Sequence, residues 1–277
     1  MEVECAFRVV IVRIINRVKT LGATTRTSSA RRGGTRITSY EEVSFPVVPG
    51  WKRILDVGLI ILTGPVWVPL VLILGAFIKL VSPGPVLFRQ ERIGFGEKKF
   101  VCLKLRTMRV NAETDTHQQH LTQLVESDVP MKKMDFEDKR LIPGAWILRS
   151  TGLDELPQLI NVFRGEMSLV GPRPCTIYEF QKYKAWQRER FNTLPGLTGL
   201  WQVSGKNRTT FTKMIELDIH YVRTSCLWLD VGIMFRTFPA VLGQFLDNRL
   251  ERAFLPSVPE RARPAVNREL KINGVAR

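Results

Sequence analysis

The hydrophobic pattern of the chain is dominated by one long segment without charges, residues 57–78. As an α-helix this segment would be about 33 Å long, which is enough to cross a bilayer. Pro65 and Pro69 lie near its middle beside Gly64, and each proline removes a backbone hydrogen bond. Basic residues flank it on both sides: Lys52 and Arg53 before, and Lys79, Arg89 and Arg92 after. Because basic flanks stay in the cytoplasm, we expect the segment to break at Gly64–Pro65 and return to the side it entered. A kinked helix that crosses the bilayer is the alternative.

Two further segments are amphipathic. In residues 7–21 the apolar side chains share one helical arc, as in an interfacial membrane helix or in a surface helix packed on the core. Residues 227–246 are also apolar, and we expect them to lie in the membrane interface. Four residues argue against a membrane span there: Trp228, Asp230, Arg236 and Pro239. Residues 24–40 predict a flexible basic linker, and the Pro- and Arg-rich residues 249–277 predict a disordered tail.

Two shorter stretches, residues 86–93 and 99–108, predict strands joined by a turn at 94–97. On the second strand, alternation places Lys104 and Arg106 on one face. Two cations that share a strand face can bind a diphosphate, although a solvated face is the simpler interpretation.

The stretch with the clearest chemistry runs from residue 149 to 174. Asp154 and Glu155 stand at the start of a short predicted helix, Pro157 falls in its first turn, and Gly165 ends it. The positive end of the helix dipole keeps a carboxylate ionised there, and free backbone N–H groups can hold a phosphate. Three arginines surround the pair in sequence: Arg149, Arg164 and Arg173. An ionised carboxylate with flanking cations suits attack on a phosphoryl centre, although an Asp at a helix start is often only a cap.

Composition narrows the class of partner. The 41 Lys and Arg residues against 26 Asp and Glu give a net charge of +15, so acidic partners are expected: nucleic acid, anionic lipid or phosphorylated substrates. The four cysteines include no C-x-x-C pair, which argues against a metal site built from them. A glycine-rich run at 194–205 indicates backbone that closely approaches a ligand or another segment.

Several motifs occur in a fixed order along the chain. LDELPQLINV (153–162) precedes RGEMSLVGPRP (164–174), with K-x-R-T-M at 104–108 and D-x-R at 138–140 upstream and P-G-x-T-G-L-W-Q-x-S-G at 195–205 downstream. Together, over residues 51–242, they resemble the bacterial sugar transferase family, the monotopic polyprenol-phosphate phosphoglycosyl transferases. The C-terminal motifs look most like the members that start exopolysaccharide repeats from glucose or galactose donors. Two positions depart from the family pattern, since Gly64 and Gly152 stand where the family usually has Ser.

The resemblance implies an activity and a set of site residues. A sugar 1-phosphate would pass from a UDP-sugar to undecaprenyl phosphate, with release of UMP and a covalent intermediate on Asp154. Glu155 would assist as a base or with the metal, and Mg²⁺ would be bound by Asp154 or Glu155. The other implied residues fall into two groups: phosphate-binding Lys104, Arg106, Arg149, Pro172 and Arg173, and possible pocket residues Trp201, Gln202 and Ser204.

These observations predict an α/β fold: a small mixed catalytic domain with a re-entrant membrane helix and interfacial amphipathic helices. The expected divisions are a basic N-terminal extension (1–50), the re-entrant helix (51–81), the catalytic domain (82–246) and a basic tail (247–277). We expect the catalytic domain to lie on the cytoplasmic face of the bacterial inner membrane. The expected partners are the UDP-sugar, undecaprenyl phosphate and membrane lipid, and not nucleic acid. Three alternatives remain: a metal-dependent glycosyltransferase that releases UDP, a membrane-tethered nucleic-acid binder, and a non-catalytic scaffold of polysaccharide export.

Overall fold

The computed structural model describes residues 48–110, 138, 140–205 and 209–254. The predicted helix at 7–21, the linker and most of the tail lie outside these residues. The helices are α1 (Gly50–Val81), α2 (Ala145–Thr151), α3 (Gln158–Arg164), α4 (Ile177–Lys182), α5 (Leu200–Val203), α6 (Phe211–Thr224) and α7 (Leu227–Phe254). The strands are β1 (Leu87–Ile93), β2 (Lys99–Leu105), β3 (Ser168–Val170), β4 (Cys175–Thr176) and β5 (Gly196–Thr198). Short 3₁₀ helices span Phe95–Glu97, Leu153–Glu155 and Ala185–Asn192. The predicted mixed α/β fold is confirmed.

Helix α1 is continuous over 32 residues and includes both prolines. The chain stays helical through Gly64–Pro65, so the bend predicted there does not interrupt the helix, and the bend itself stays a prediction. Side chains supply hydrogen bonds on the turn before Pro65: the Thr63 hydroxyl donates to Leu59 O at 2.6 Å, and the Trp67 indole donates to Ile60 O at 3.1 Å. Neither bond reaches Ile61 O, the carbonyl group whose helical donor Pro65 lacks, so these two side chains do not replace that bond.

Both ends of α1 pack against the rest of the folded protein. Near its start, Lys52 is buried beside α7 and β3, and near its end Ile78 is fully buried with Leu105 and Ile142. The outer face between these ends is apolar and exposed, with Leu62 at 75%. A helix fixed to one body at both ends, with a bare apolar face, is compatible with a monotopic membrane protein.

Helix α7 carries a second apolar face. Its exposed side chains recur at helical spacing: Trp228, Phe235, Phe238, Leu242, Leu246 and Leu250. Among the described residues, α1 and residues 227–250 of α7 are the two helical stretches long and apolar enough to cross a membrane. Asp230 does not face that surface, because it is 1% exposed and bound to Lys52. The helix also extends past the boundary predicted at residue 246.

The strands form two small sheets that support the central stretch. β1 pairs antiparallel with both β2 and β4, and β3 pairs parallel with β5. Strand β2 ends at Leu105, earlier than the predicted 108. Its free edge is bound by the Asn161 side chain, which accepts from Leu103 N at 3.0 Å and donates to Val101 O at 2.8 Å. Helix α3 is thereby fixed against β2.

Candidate active site

The adjacent carboxylates lie on the 3₁₀ helix between α2 and α3. Gly152 precedes this helix with a φ of 73°, a left-handed conformation that glycine adopts at little cost. The side chain of Asp154 is not the helix cap, since Gly152 is the N-cap of the 3₁₀ helix and Pro157 that of α3. Asp154 is 8% exposed and lies in the first turn. The interpretation of Asp154 as a simple cap is thus not supported.

Lys104 contacts the second carboxylate. Its Nζ lies 2.7 Å from Glu155 Oε1, and both side chains are partly exposed, at 24% and 34%. The strand β2 and the 3₁₀ helix therefore bring a cation to the second carboxylate of the pair, at a partly exposed position. This juxtaposition of residues distant in sequence is the one that the sequence predicts.

Arg106 has a different environment from Lys104. Its Nη1 and Nη2 donate to Pro83 O and Ser82 O at 2.7 and 2.8 Å, and the residue is 5% exposed. The alternation that was to place it beside Lys104 does not apply, because β2 ends at Leu105. Its contacts tie the turn after α1 to the end of β2, which is a structural role rather than the predicted phosphate contact.

Arg149 lies on the last turn of α2, next to the D-x-R element. Its Nη1 is 3.4 Å from Thr107 Oγ1, and its charge acts on Asp138. Asp138 accepts from Arg140 Nε and Nη2, both at 2.7 Å. The hydrogen bonds from Arg140, which outweigh burial, hold the pKa of Asp138 below its usual value. Arg149 therefore lies near an ion pair formed by Asp138 and Arg140.

The turn from Gly171 to Pro174 meets the glycine-rich run. Gly171 N donates to Thr198 O, and Gly196 N donates to Pro172 O. A Cβ on Gly171 would stand only 2.3 Å from Leu194 O, so no larger residue fits there. The close approach is between two backbone segments, and it fixes where Pro172 and the following arginine lie.

Arg173 projects from this turn with its side chain 35% exposed. Its Nη1 donates to Glu179 Oε1 at 3.2 Å. Burial alone would lower the pKa of Arg173, yet the charges of Glu179 and Glu155 leave it raised. Burial likewise would raise the pKa of Glu179, but Arg173 and Arg92 hold it below its usual value. Arg173 therefore stays cationic within electrostatic range of Glu155.

The three residues predicted to line a pocket have separate environments. Trp201 is 4% exposed in the core, and its indole donates to Thr209 Oγ1 at 2.6 Å, so it offers no surface for stacking. The Gln202 amide donates to Leu197 O at 3.1 Å. Ser204 is exposed at the end of α5. Packing of the aromatic ring, the commoner fate of Trp, thus outweighs the predicted pocket role.

Glu179 and the buried arginines near the turn are absent from the residues predicted as functional. A signal for Glu179 exists in the sequence, since Thr176-x-x-Glu179 is a capping box, and the structure shows both of its hydrogen bonds. Arg190 and Arg92 give no comparable signal, because a basic residue in a mixed polar stretch or in a strand looks solvent-exposed.

No group of three or more His, Cys, Asp or Glu side chains that could hold a metal occurs within the described residues. Mg²⁺ commonly binds through one or two carboxylates and completes its shell with water and substrate phosphates. The adjacent carboxyl groups of Asp154 and Glu155 fit this partial donor set.

The fold and the site together define a membrane-associated α/β enzyme with a carboxylate pair among cations. The chain belongs to the bacterial sugar transferase family, whose sequence profile matches residues 48–244. The resemblance and the class of enzyme predicted from the sequence are thereby confirmed.

Three relatives illustrate the similarity. The exopolysaccharide production protein ExoY of Sinorhizobium fredii is 37% identical over 193 residues, which cover 69% of this chain and 84% of that protein. The UDP-glucose:undecaprenyl-phosphate glucose-1-phosphate transferase of Caulobacter vibrioides is 41% identical over 199 residues, 69% of each chain. The undecaprenyl-phosphate galactose phosphotransferase of Salmonella typhimurium is 38% identical over 166 residues, 57% of this chain and 34% of that protein.

Proposed function

We propose that this enzyme transfers a sugar 1-phosphate from a UDP-sugar to undecaprenyl phosphate, releases UMP, and so begins an exopolysaccharide repeat. The observation that carries the proposal is the adjacent pair Asp154 and Glu155, of which Glu155 is bonded to Lys104 and lies within electrostatic range of Arg173. The names of two relatives support the donor class and the lipid acceptor, with glucose 1-phosphate transfer in one and galactose phosphate transfer in the other.

The reaction has two displacements at one phosphorus. A carboxylate oxygen of Asp154 attacks the sugar-proximal phosphorus and forms a P–O bond, while the bond from that phosphorus to the bridging oxygen breaks and UMP leaves. A phosphate oxygen of the lipid then attacks the same phosphorus, and the bond to Asp154 breaks. The carboxylate returns to its starting state, and the kinetics are ping-pong.

The cations of the site neutralise phosphate oxygens in both steps. Lys104 is bonded to Glu155, the charge of Glu155 acts on Arg173, and Arg149 adds a third charge beside Thr107. An arginine fork can bind two phosphate oxygens at once. Mg²⁺, bound through Asp154 and Glu155 and the diphosphate, would neutralise further charge on the donor. Glu155 either positions this charge or acts as a base.

The exposed apolar faces of α1 and α7 support membrane association, and the basic residues that flank α1 on both sides favour the cytoplasmic face of the inner membrane. The acceptor is a lipid whose phosphate lies at the interface. A cleft carried by helices seated in that interface meets the phosphate without extracting the lipid from the bilayer.

The deciding experiment identifies the nucleotide that is released. Membranes containing the enzyme are supplied with undecaprenyl phosphate, Mg²⁺ and UDP-glucose or UDP-galactose. We expect UMP from the unchanged enzyme and no turnover from Asp154→Asn, which is nearly isosteric but a poor nucleophile. Glu216→Gln, which alters an exposed carboxylate in α6, is the matched control and keeps its activity.

Each of the other possible outcomes would contradict the proposal and favour a different function or mechanism. Release of UDP would identify a glycosyltransferase and leave Asp154 as a ligand or structural residue. Release of neither nucleotide by folded, membrane-bound protein would favour the scaffold. Substantial turnover by Asp154→Asn would refute the covalent intermediate.

A further inference from the structure

A buried ionic cluster lies beneath the Gly171–Pro174 turn and holds its backbone. Arg190 Nη2 donates to Arg173 O at 2.7 Å, and Arg92 Nη1 donates to Pro174 O at 3.0 Å. Two successive carbonyl groups of the turn are therefore each bound by a guanidinium group.

Arg190 is itself fixed by residues of two other segments. Its Nη2 lies 2.6 Å from Asp218 Oδ2 on α6, and its Nη1 donates to the Tyr183 hydroxyl. The guanidinium thus joins α6 and the loop after α4 to the turn. Arginine suits this place because its planar fork has several donors at fixed angles.

Neither Arg190 nor Asp218 is accessible to a substrate, since their side chains are 2% and 1% exposed. Any effect on the reaction must pass through Arg173, whose backbone they hold while Glu179 holds its guanidinium. Burial raises the pKa of Asp218 to about 6, an effect that Arg190 only partly offsets. The ion pair therefore carries a desolvation cost that well-packed apolar residues would not.

A second ion pair joins the same two elements and does not contact the turn. Arg223 on α6 binds Glu189, the neighbour of Arg190, at 2.6 and 2.5 Å on the exposed surface. Two ion pairs of the described residues thus join α6 to the 3₁₀ helix Ala185–Asn192. Only the buried pair, Arg190–Asp218, also contacts the backbone of Arg173.

From this arrangement we infer that Arg190 and Asp218 are positioning residues, which hold the backbone of Arg173 so that its side chain faces the donor diphosphate. The inference rests on the proposed function for the identity of that ligand. The geometric part, a turn held in place by a buried ion pair, is independent of it.

The test combines kinetics with hydrogen exchange. Asp218→Asn removes the charge that fixes Arg190 while it keeps the shape of the side chain. We expect kcat/KM for the UDP-sugar to fall by about tenfold to a hundredfold, the size of effect that a small misplacement can have. Backbone amides of residues 168–176 should exchange faster. Arg223→Ala, the control, should leave both measurements unchanged.

A double-mutant cycle separates positioning from general destabilisation. If Asp218 acts through Arg173, Asp218→Asn should cause little further loss of kcat/KM when Arg173 is already alanine. Equal losses in both backgrounds would overturn the inference, as would unchanged exchange in the turn. If Asp218→Asn does not accumulate in folded form, Tyr183→Phe, which removes one acceptor of Arg190, replaces it in the cycle.

The two proposals fail in different ways. Faster exchange in the turn without UMP release by the unchanged enzyme would refute the proposed function and leave the structural link standing. Normal UMP release with no coupling between Asp218 and Arg173 would refute the positioning role alone.

Discussion

At the scale of single residues, Lys104 and Arg106 are two positions apart and have different surroundings. Lys104 is partly exposed and bonded to Glu155 in the cleft. Arg106 is buried, with both terminal nitrogens bound to carbonyl groups of the turn after α1. Replacing each should therefore affect a different property of the enzyme.

We predict that Lys104→Met lowers kcat/KM for the UDP-sugar by about a hundredfold, the usual effect of losing one charge-stabilising group, with little change in Tm. Arg106→Met should instead lower Tm, because the carbonyl groups of Ser82 and Pro83 lose their donors, at about 1–3 kcal/mol for each one left unsatisfied. Activity assays measure kcat/KM for each variant, and thermal unfolding in detergent measures its Tm. A Tm loss for Lys104→Met equal to that for Arg106→Met would contradict the assignment.

Residue roles could be predicted only where chemistry and short-range spacing coincide. The Asp154–Glu155 pair and Arg173 stand in a stretch whose helix signals and charges agree, and the structure bonds Glu155 to Lys104. A sequence motif does not tell a pocket aromatic from a core one, and the structure buries Trp201 in the core. The link from Arg190 to Asp218 joins residues 28 positions apart and leaves no local pattern.

At the scale of elements, the start of α1 is fixed to α7 and β3 by a buried polar cluster. Lys52 Nζ lies 2.5 Å from Asp230 Oδ2, 2.8 Å from Val170 O and 3.0 Å from the Tyr221 hydroxyl. Val170 directly precedes the turn of the active site. The cluster therefore connects both apolar helices to the strand that leads into the turn carrying Arg173.

We predict that Lys52→Met alone destabilises the protein by about 3–5 kcal/mol, because it leaves Asp230 as an unpaired buried charge. The double variant Lys52→Met/Asp230→Leu should recover most of this loss, since apolar residues can replace a buried ion pair at little net cost. Lys79→Met, on the exposed side of the same helix, is the control. Thermal unfolding of the three variants tests this, and a double variant less stable than Lys52→Met would contradict it.

Elements were predicted well where a pattern is local and poorly where it depends on distant contacts. The apolar segment, the two long strands and the helix ended by Gly165 follow from periodicity and turn residues. The end of β2 at Leu105 does not, because it depends on Arg106 reaching the turn after α1.

At the scale of the whole molecule, the position of α1 limits how the protein sits in a membrane. A helix that crosses the bilayer separates its two ends by the hydrocarbon core, about 30 Å thick. Here Lys52 and Ile78 are both buried against the rest of the folded protein. If α1 crossed the bilayer, one of its two ends would have to leave these contacts. The exposed apolar face between them remains available to lipid.

We therefore predict that the two flanks of α1 are accessible from the same side of the membrane. Cysteines introduced at Gly50 and Pro83, both exposed, should react with a membrane-impermeant maleimide in inside-out vesicles and not in right-side-out ones. Leu62→Cys, in the exposed apolar face, should be shielded by lipid in both preparations. Labelling is compared with that of the unchanged protein to subtract its native cysteines. Reaction of Gly50→Cys and Pro83→Cys from opposite sides would establish a spanning helix, and would require the contacts of Lys52 or Ile78 to be broken in the bilayer.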